Sequence, residues 1–220
     1  MFDEFTSSTP RRGFLGRFAA AAMGIGAASL TPALAEAATS NPADPKLEAW
    51  FNKLNAAKHR VVFDAPESNS GFPAIWPRVY LLTTDASYPG EGSAAMVILR
   101  HEALPLAFQD NLWSKYKLGE TFKINSGDAP ATKNPYATIT GLPIPGLGIA
   151  ELLKSGALVG ACDVAMTVYS SGAATKMGLD PATVKKEWIA GLLPGVQLVP
   201  SGVMAVARAQ DFGARYIFAG

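Results

Sequence analysis

The chain has 220 residues, 49% of them hydrophobic, enough for one well-packed domain and too few for two large ones. Its 19 basic and 18 acidic residues leave a net charge of +1, which excludes the one-signed footprint of a nucleic-acid binder or of a protein held on an anionic membrane. One cysteine in the whole chain excludes an internal disulfide and any Cys-x-x-Cys dithiol mechanism.

The first 35 residues read as an address rather than as fold. Arg11 and Arg12 precede Phe14 and Leu15, an Ala- and Gly-rich run follows from Phe18 to Leu30, and Ala33-Leu34-Ala35 offers a small-x-small cleavage site. The pattern resembles a twin-arginine export signal, with a plain secretory signal or a short uncleaved anchor as the alternatives. The apolar run is too short and too glycine-rich for a membrane-spanning helix, so no stable membrane insertion of the mature chain is expected. Cleavage would remove Arg11, Arg12 and Arg17 together with Asp3 and Glu4, leaving the charges balanced. The expected destination is the periplasm, which is oxidising, and a lone free cysteine there calls for an explanation.

Residues 36–44 are small and polar and form a linker, and residues 45–220 are one domain. Asp44-Pro45 is an N-cap followed by proline at the first helical position, and Leu47, Trp50, Phe51 and Leu54 give the helix that follows an apolar face. His59–Asp64 is a short strand. A Pro/Ser/Asn/Gly loop over 65–73 leads to a helix from Ala74 to Ala86. The continuous apolar run from Ala94 ends in Arg100 and His101 and has strand length. Leu104, Phe108, Leu112 and Tyr116 recur every fourth residue and predict a second crossover helix.

Residues 117–146 carry no clear period, and a loop that long inside a compact domain is a functional or contact element. Ile149, Leu152 and Leu153 mark a short helix with Gly156 behind it. Ala157–Ala161 is a strand that delivers Cys162, and a helix runs from Asp163 to Lys176. Asp180-Pro181 repeats the cap-and-proline signal before Val184, Trp188 and Ile189. Val196–Val199 is a strand, Ser201 can cap a helix to Gln210, and Tyr216–Phe218 is a last strand. Strands alternate with helices and are apolar throughout, so the fold class is α/β, with a parallel sheet covered on both faces.

In such sheets ligands bind beyond the carboxyl ends of the strands. Asp64, Arg100 with His101, Cys162 and Ser201 all fall at strand ends. Cys162, at the start of a helix, is a candidate nucleophile or sulfur carrier; the other reading is a small buried hydrophobe. His101 is a candidate base or axial ligand, or else a helix cap. Arg100 alternates with His101, so the two side chains diverge. Arg100 faces an anion, a neighbouring subunit or an exposed salt bridge. Asp64 and Asp163 orient a site or complement a helix dipole, and Ser201 holds an anion together with nearby backbone N–H groups. His59 begins its strand, at the opposite edge, and reads as structural. One cysteine and two histidines cannot build a closed zinc site, and no cofactor or metal is predicted.

From His59 to Ala219 the chain resembles the DsrE/DsrF-like family of small sulfur-relay proteins. The resemblance rests on the strand Ala157–Ala161 that delivers Cys162, on Leu192–Gly202, and on Ala209–Phe218. It implies a three-layer, flavodoxin-like fold of about five parallel strands and a homo-oligomer. It also implies a persulfide on the cysteine at this strand end, which Cys162 matches. The two functional expectations are an exported sulfur carrier, with a thiol-bearing protein or a small sulfur compound as partner, and a non-catalytic binding or assembly subunit with an inert cysteine.

Overall fold

The computed structural model describes residues 44–220, so the expected export signal and all of the expected linker except Asp44 lie outside the described residues. Asp44 accepts a hydrogen bond from the Lys46 N–H, and Pro45 opens helix α1 (Pro45–Asn52), as the cap signal predicts. Then come β1 (His59–Ala65), α2 (Phe72–Ser87) and β2 (Ser93–Leu99). A 3₁₀ segment, His101–Ala107, leads to α3 (Asp110–Lys115), α4 (Leu118–Phe122) and a two-residue hairpin, β3 (Asn125–Ser126) with β4 (Ala129–Pro130). The chain continues through α5 (Ile149–Lys154), β5 (Leu158–Cys162), α6 (Asp163–Met177), α7 (Pro181–Ala190), β6 (Gln197–Val199), α8 (Gly202–Asp211) and β7 (Arg215–Phe218).

Five strands form one sheet in the order β6-β5-β2-β1-β7, every neighbouring pair parallel. This is the parallel α/β sheet covered on both faces that the strand–helix alternation predicts, in a three-layer, flavodoxin-like arrangement. The chain winds one way through β1, β2, β5 and β6 before crossing back to lay β7 beside β1. Right-handed crossovers in one direction put their connecting helices on one face. Val61, Phe63, Ala95, Val97, Leu99 and Val159 pack into that larger core. The alternate residues Val62, Met96, Ile98 and Leu158 pack into a smaller core against α1 and α8 on the other face.

One local expectation is corrected. The crossover helix expected from Leu104 to Tyr116 is broken, although all four of its apolar residues are buried. His101 has a positive φ of 50°, Pro105 supplies no N–H, and Phe108 is extended and bridges Leu192, so α3 starts only at Asp110. Burial alone imitated a helical period there. The 117–146 segment, expected as a functional or contact element, packs against the core. Phe122, Ile124 and Ala131 are buried, and the Asn134 amide donates to the carbonyls of Leu106 and Phe108 at 3.0 and 2.8 Å.

Candidate functional site

The topology creates a switch point. The chain leaves β5 into α6 on one face of the sheet and leaves β6 into α8 on the other. The crevice between those two carboxyl ends is where open α/β sheets place ligands. Register sets Cys162 opposite Val199 on β6, and Ala161 beside Leu99 on β2, so Arg100 follows β2 next to Cys162.

Cys162 is the last residue of β5 and the N-cap of α6. Its Sγ accepts a hydrogen bond from the Ala165 N–H at 3.4 Å. The residue is 6% exposed and packs in the larger core, beside the start of α8. The positive end of the fifteen-residue helix α6 is turned toward this sulfur.

Arg100 and Asp64, separate candidates in the sequence, form one unit. Arg100 Nε donates to Asp64 Oδ1 at 2.6 Å and Nη2 donates to Oδ2 at 3.0 Å. Tyr216 on β7 donates its hydroxyl to the same Oδ2 at 3.1 Å. Asp64 is buried and Arg100 is 27% exposed on its side chain. The hydrogen-bonded carboxylate holds the Arg100 guanidinium above its ordinary pKa, against the opposing effect of burial. Burial, then the Asp64 charge, raises the Tyr216 phenol.

Gly202, the first residue of α8, brings that helix onto the same spot. A Cβ built there would stand 2.7 Å from Arg100 Cβ and 3.3 Å from Cys162 Cβ. Only a residue without a side chain lets the start of α8 sit over both strand ends. Ser201 occupies the N-cap position of α8, but its side chain makes no capping hydrogen bond, which corrects the cap expected of it. Its backbone is extended, and the helix begins on the Ser201 carbonyl, which accepts from Ala205 N–H at 2.9 Å.

His101 and Asp163 go elsewhere. The His101 ring lies edge-on to Tyr169 of α6, 6.0 Å between centroids, diverging from Arg100 as the alternation implies. Asp163 pairs with Lys185 of α7 at 3.1 Å, while its Oδ1 is buried without a hydrogen-bond partner among the described residues. Asp163 also lines a cleft of about 310 Å³ along β6, with Asp44, Pro45 and Pro200. Cys162 is not among the residues lining that cleft. His59 sits at the amino end of β1 and its Nε2 meets Glu91 Oε2 at 2.6 Å, a structural contact. Among the described residues no group of three or more His, Cys, Asp or Glu could hold a metal, and no helix is long and apolar enough to cross a membrane.

Sequence reasoning missed Tyr216 and Gly202. Nothing local marks Tyr216, whose partner is 152 residues away. A glycine at the first position of a helix, where it brings no propensity advantage, is the signal that marks Gly202 as a close approach.

No family model matches this chain, and no curated protein matches it. Among solved structures it is similar to a protein of unknown function from Methanobacterium thermoautotrophicum, MTH1491, at 21% identity over 73% of this chain and 99% of that one, with a TM-score of 0.34.

Proposed function

We propose that the chain is an exported carrier of sulfane sulfur, akin to the DsrE/DsrF-like relay proteins, with Cys162 holding the sulfur as a persulfide. The observation that supports it best is the position of the thiol, at the switch point of the sheet and as the N-cap of α6. A sulfur anion there meets the positive end of a helix and accepts the Ala165 N–H. In loading, the thiolate attacks the outer sulfur of a donor persulfide. A new S–S bond forms at Cys162, the donor S–S bond breaks, and the donor thiolate leaves with the electron pair. Exchange with an acceptor thiol unloads the carrier in the same way. In this reading the protein works in the periplasm after twin-arginine export, as a homo-oligomer, with a thiol-bearing protein or a small sulfur compound as its partner.

A second reading, an assembly subunit with an inert cysteine, draws on two observations. Cys162 is only 6% exposed, and the edge strand β7 presents Tyr216, Ile217 and Phe218 to solvent. Intact mass of the folded protein after incubation with a persulfide donor decides between them. The carrier reading expects one added sulfur, removed by reductant and missing in Cys162→Ala. A thiol that resists both the donor and a small alkylating agent at neutral pH, in protein that remains folded, overturns it.

A further inference from the structure

The sheet ends in β6 on one side and β7 on the other, and the two edges differ. β6 is three residues long, Pro200 follows it directly, and the Gln197 side chain donates to the Leu198 carbonyl at 2.9 Å. Asp44 and Pro45 line the cleft along it. β7 carries no such protection. All four of its residues are exposed, Phe218 at 56%, and its one charge, Arg215, stands at the start. Among the described residues β7 pairs with β1 alone. The Ala219 N–H donates to the Asp64 carbonyl at 2.8 Å, toward β1. Backbone groups alternate along a strand, so those of Ile217 also turn toward β1, and those of Tyr216 and Phe218 turn outward. No strand lies on that outer side among the described residues.

We propose that β7 is a dimer interface, on which a second copy of this chain lays its own β7 antiparallel, about a two-fold axis at Ile217. The outward groups fix that register. Tyr216 of one copy meets Phe218 of the other, and each such pair exchanges both N–H···O bonds. Ile217 meets Ile217 of the second copy in the closer, non-hydrogen-bonded pair. The strand is self-complementary in this register. Tyr216 and Phe218 lie on the face that carries Asp64, so aromatic stands opposite aromatic there. Ile217 lies on the face of Phe63, apolar opposite apolar. Arg215 falls opposite Ala219 of the second copy, so no like charges oppose each other. The blunted edge at β6 offers no head-to-tail partner, and the contact closes at two copies. The dimer stands under either reading of Cys162, and it gives the homo-oligomer of the carrier reading a surface and a symmetry.

Sedimentation equilibrium of the full chain is expected to give twice the monomer mass. Ile217→Lys sets two like charges across the axis and is expected to raise the dissociation constant about a hundredfold, with unchanged circular dichroism. Register is read by cross-linking in the full chain with Cys162→Ala, which removes the native thiol. There, Ile217→Cys puts two thiols opposite each other, at a Cα separation of about 4.5 Å that a disulfide spans. Under mild oxidation it is expected to run as a covalent dimer on a non-reducing gel. Arg215→Cys, on the same face but out of register with its own copy, is expected to stay uncross-linked. A wild-type chain that sediments as a monomer overturns the proposal, whatever other protein then covers β7. So does a dimer that Ile217→Lys leaves intact, or one in which Arg215→Cys cross-links as fast as Ile217→Cys. If Ile217→Lys does not fold, the two cysteine variants still decide. Sulfur loading of a monomeric chain overturns the dimer and leaves the carrier reading standing. A cross-link confined to Ile217→Cys, with no loading of Cys162 in the wild type, keeps the dimer and removes the carrier.

Discussion

Asp64 accepts two hydrogen bonds from Arg100, at 2.6 and 3.0 Å, across the carboxyl ends of neighbouring strands, and its second oxygen also accepts the Tyr216 hydroxyl. One carboxylate thus joins β1, β2 and β7, the three strands nearest one edge of the sheet. It is buried in the fold while its cation is partly open.

Removing that carboxylate strands a guanidinium that is mostly covered. Asp64→Asn is expected to lose about 2–3 kcal/mol in urea unfolding, below the full cost of a buried pair because Arg100 keeps some solvent. Tyr216→Phe removes one hydrogen bond and is expected to lose about 1 kcal/mol. If Asp64→Asn unfolds at the wild-type midpoint, the brace has no structural weight.

Gly202 and Gly119 separate a local effect from a global one. A methyl at 202 collides with Arg100 and approaches Cys162, whereas a methyl at 119 collides with the backbone of Ala131 in the segment after α4. Both alanine variants are expected to lose about 1–3 kcal/mol. Gly202→Ala alone should change the alkylation rate of Cys162 measured under folding conditions. Equal thiol rates in the two variants would show that α8 does not control access.

Glu187 supplies a pH dependence. Hydrogen bonds from Lys115 and then Tyr116 hold its carboxyl below the usual range. A depressed carboxylate contributes stability above its unfolded pKa, about 4.3, and that contribution is lost as pH falls through the lower folded value. Glu187→Gln should therefore melt below wild type at neutral pH, by no more than about 1 kcal/mol for so exposed a pair. The gap should close in acid. Thermal melts of both proteins from neutral pH downward check this, and a gap that widens in acid contradicts it.

Asp180 caps α7 by accepting the Thr183 N–H at 2.8 Å. Asp180→Ala is expected to lower the urea midpoint, because the Thr183 N–H loses its cap. Because Lys115 and Tyr116 grip α7 through Glu187, the effects of Asp180→Ala and Glu187→Gln should add if the helix docks as a rigid unit. Urea titration of both single variants and the double variant measures that sum.

Much of the candidate site is legible in the chain because its signals are local. A polar residue after an apolar run marks a strand end, and this picks out Asp64, Arg100 and Cys162 without any knowledge of strand order. Proline after aspartate marks the starts of α1 and α7. Local signals fail where burial comes from several directions at once. Leu104, Phe108, Leu112 and Tyr116 are spaced like a helix face, yet they sit on a 3₁₀ segment, a bridge and a short helix, because each meets the same core by a different path.

The sequence by itself determined the alternation of helix and strand, the apolar identity of the strands and the placing of Cys162 between β5 and α6. Periodicity and capping act over a few residues, and those are present in any stretch of the chain. Only the tertiary structure decided that β7 returns to lie beside β1, that α6 and α8 leave the sheet on opposite faces, and that Arg100 is held by Asp64 rather than left in solvent. Those choices depend on which strand edges remain free and on which helix faces can be buried together. Both are properties of the packed whole, which no local run of residues encodes.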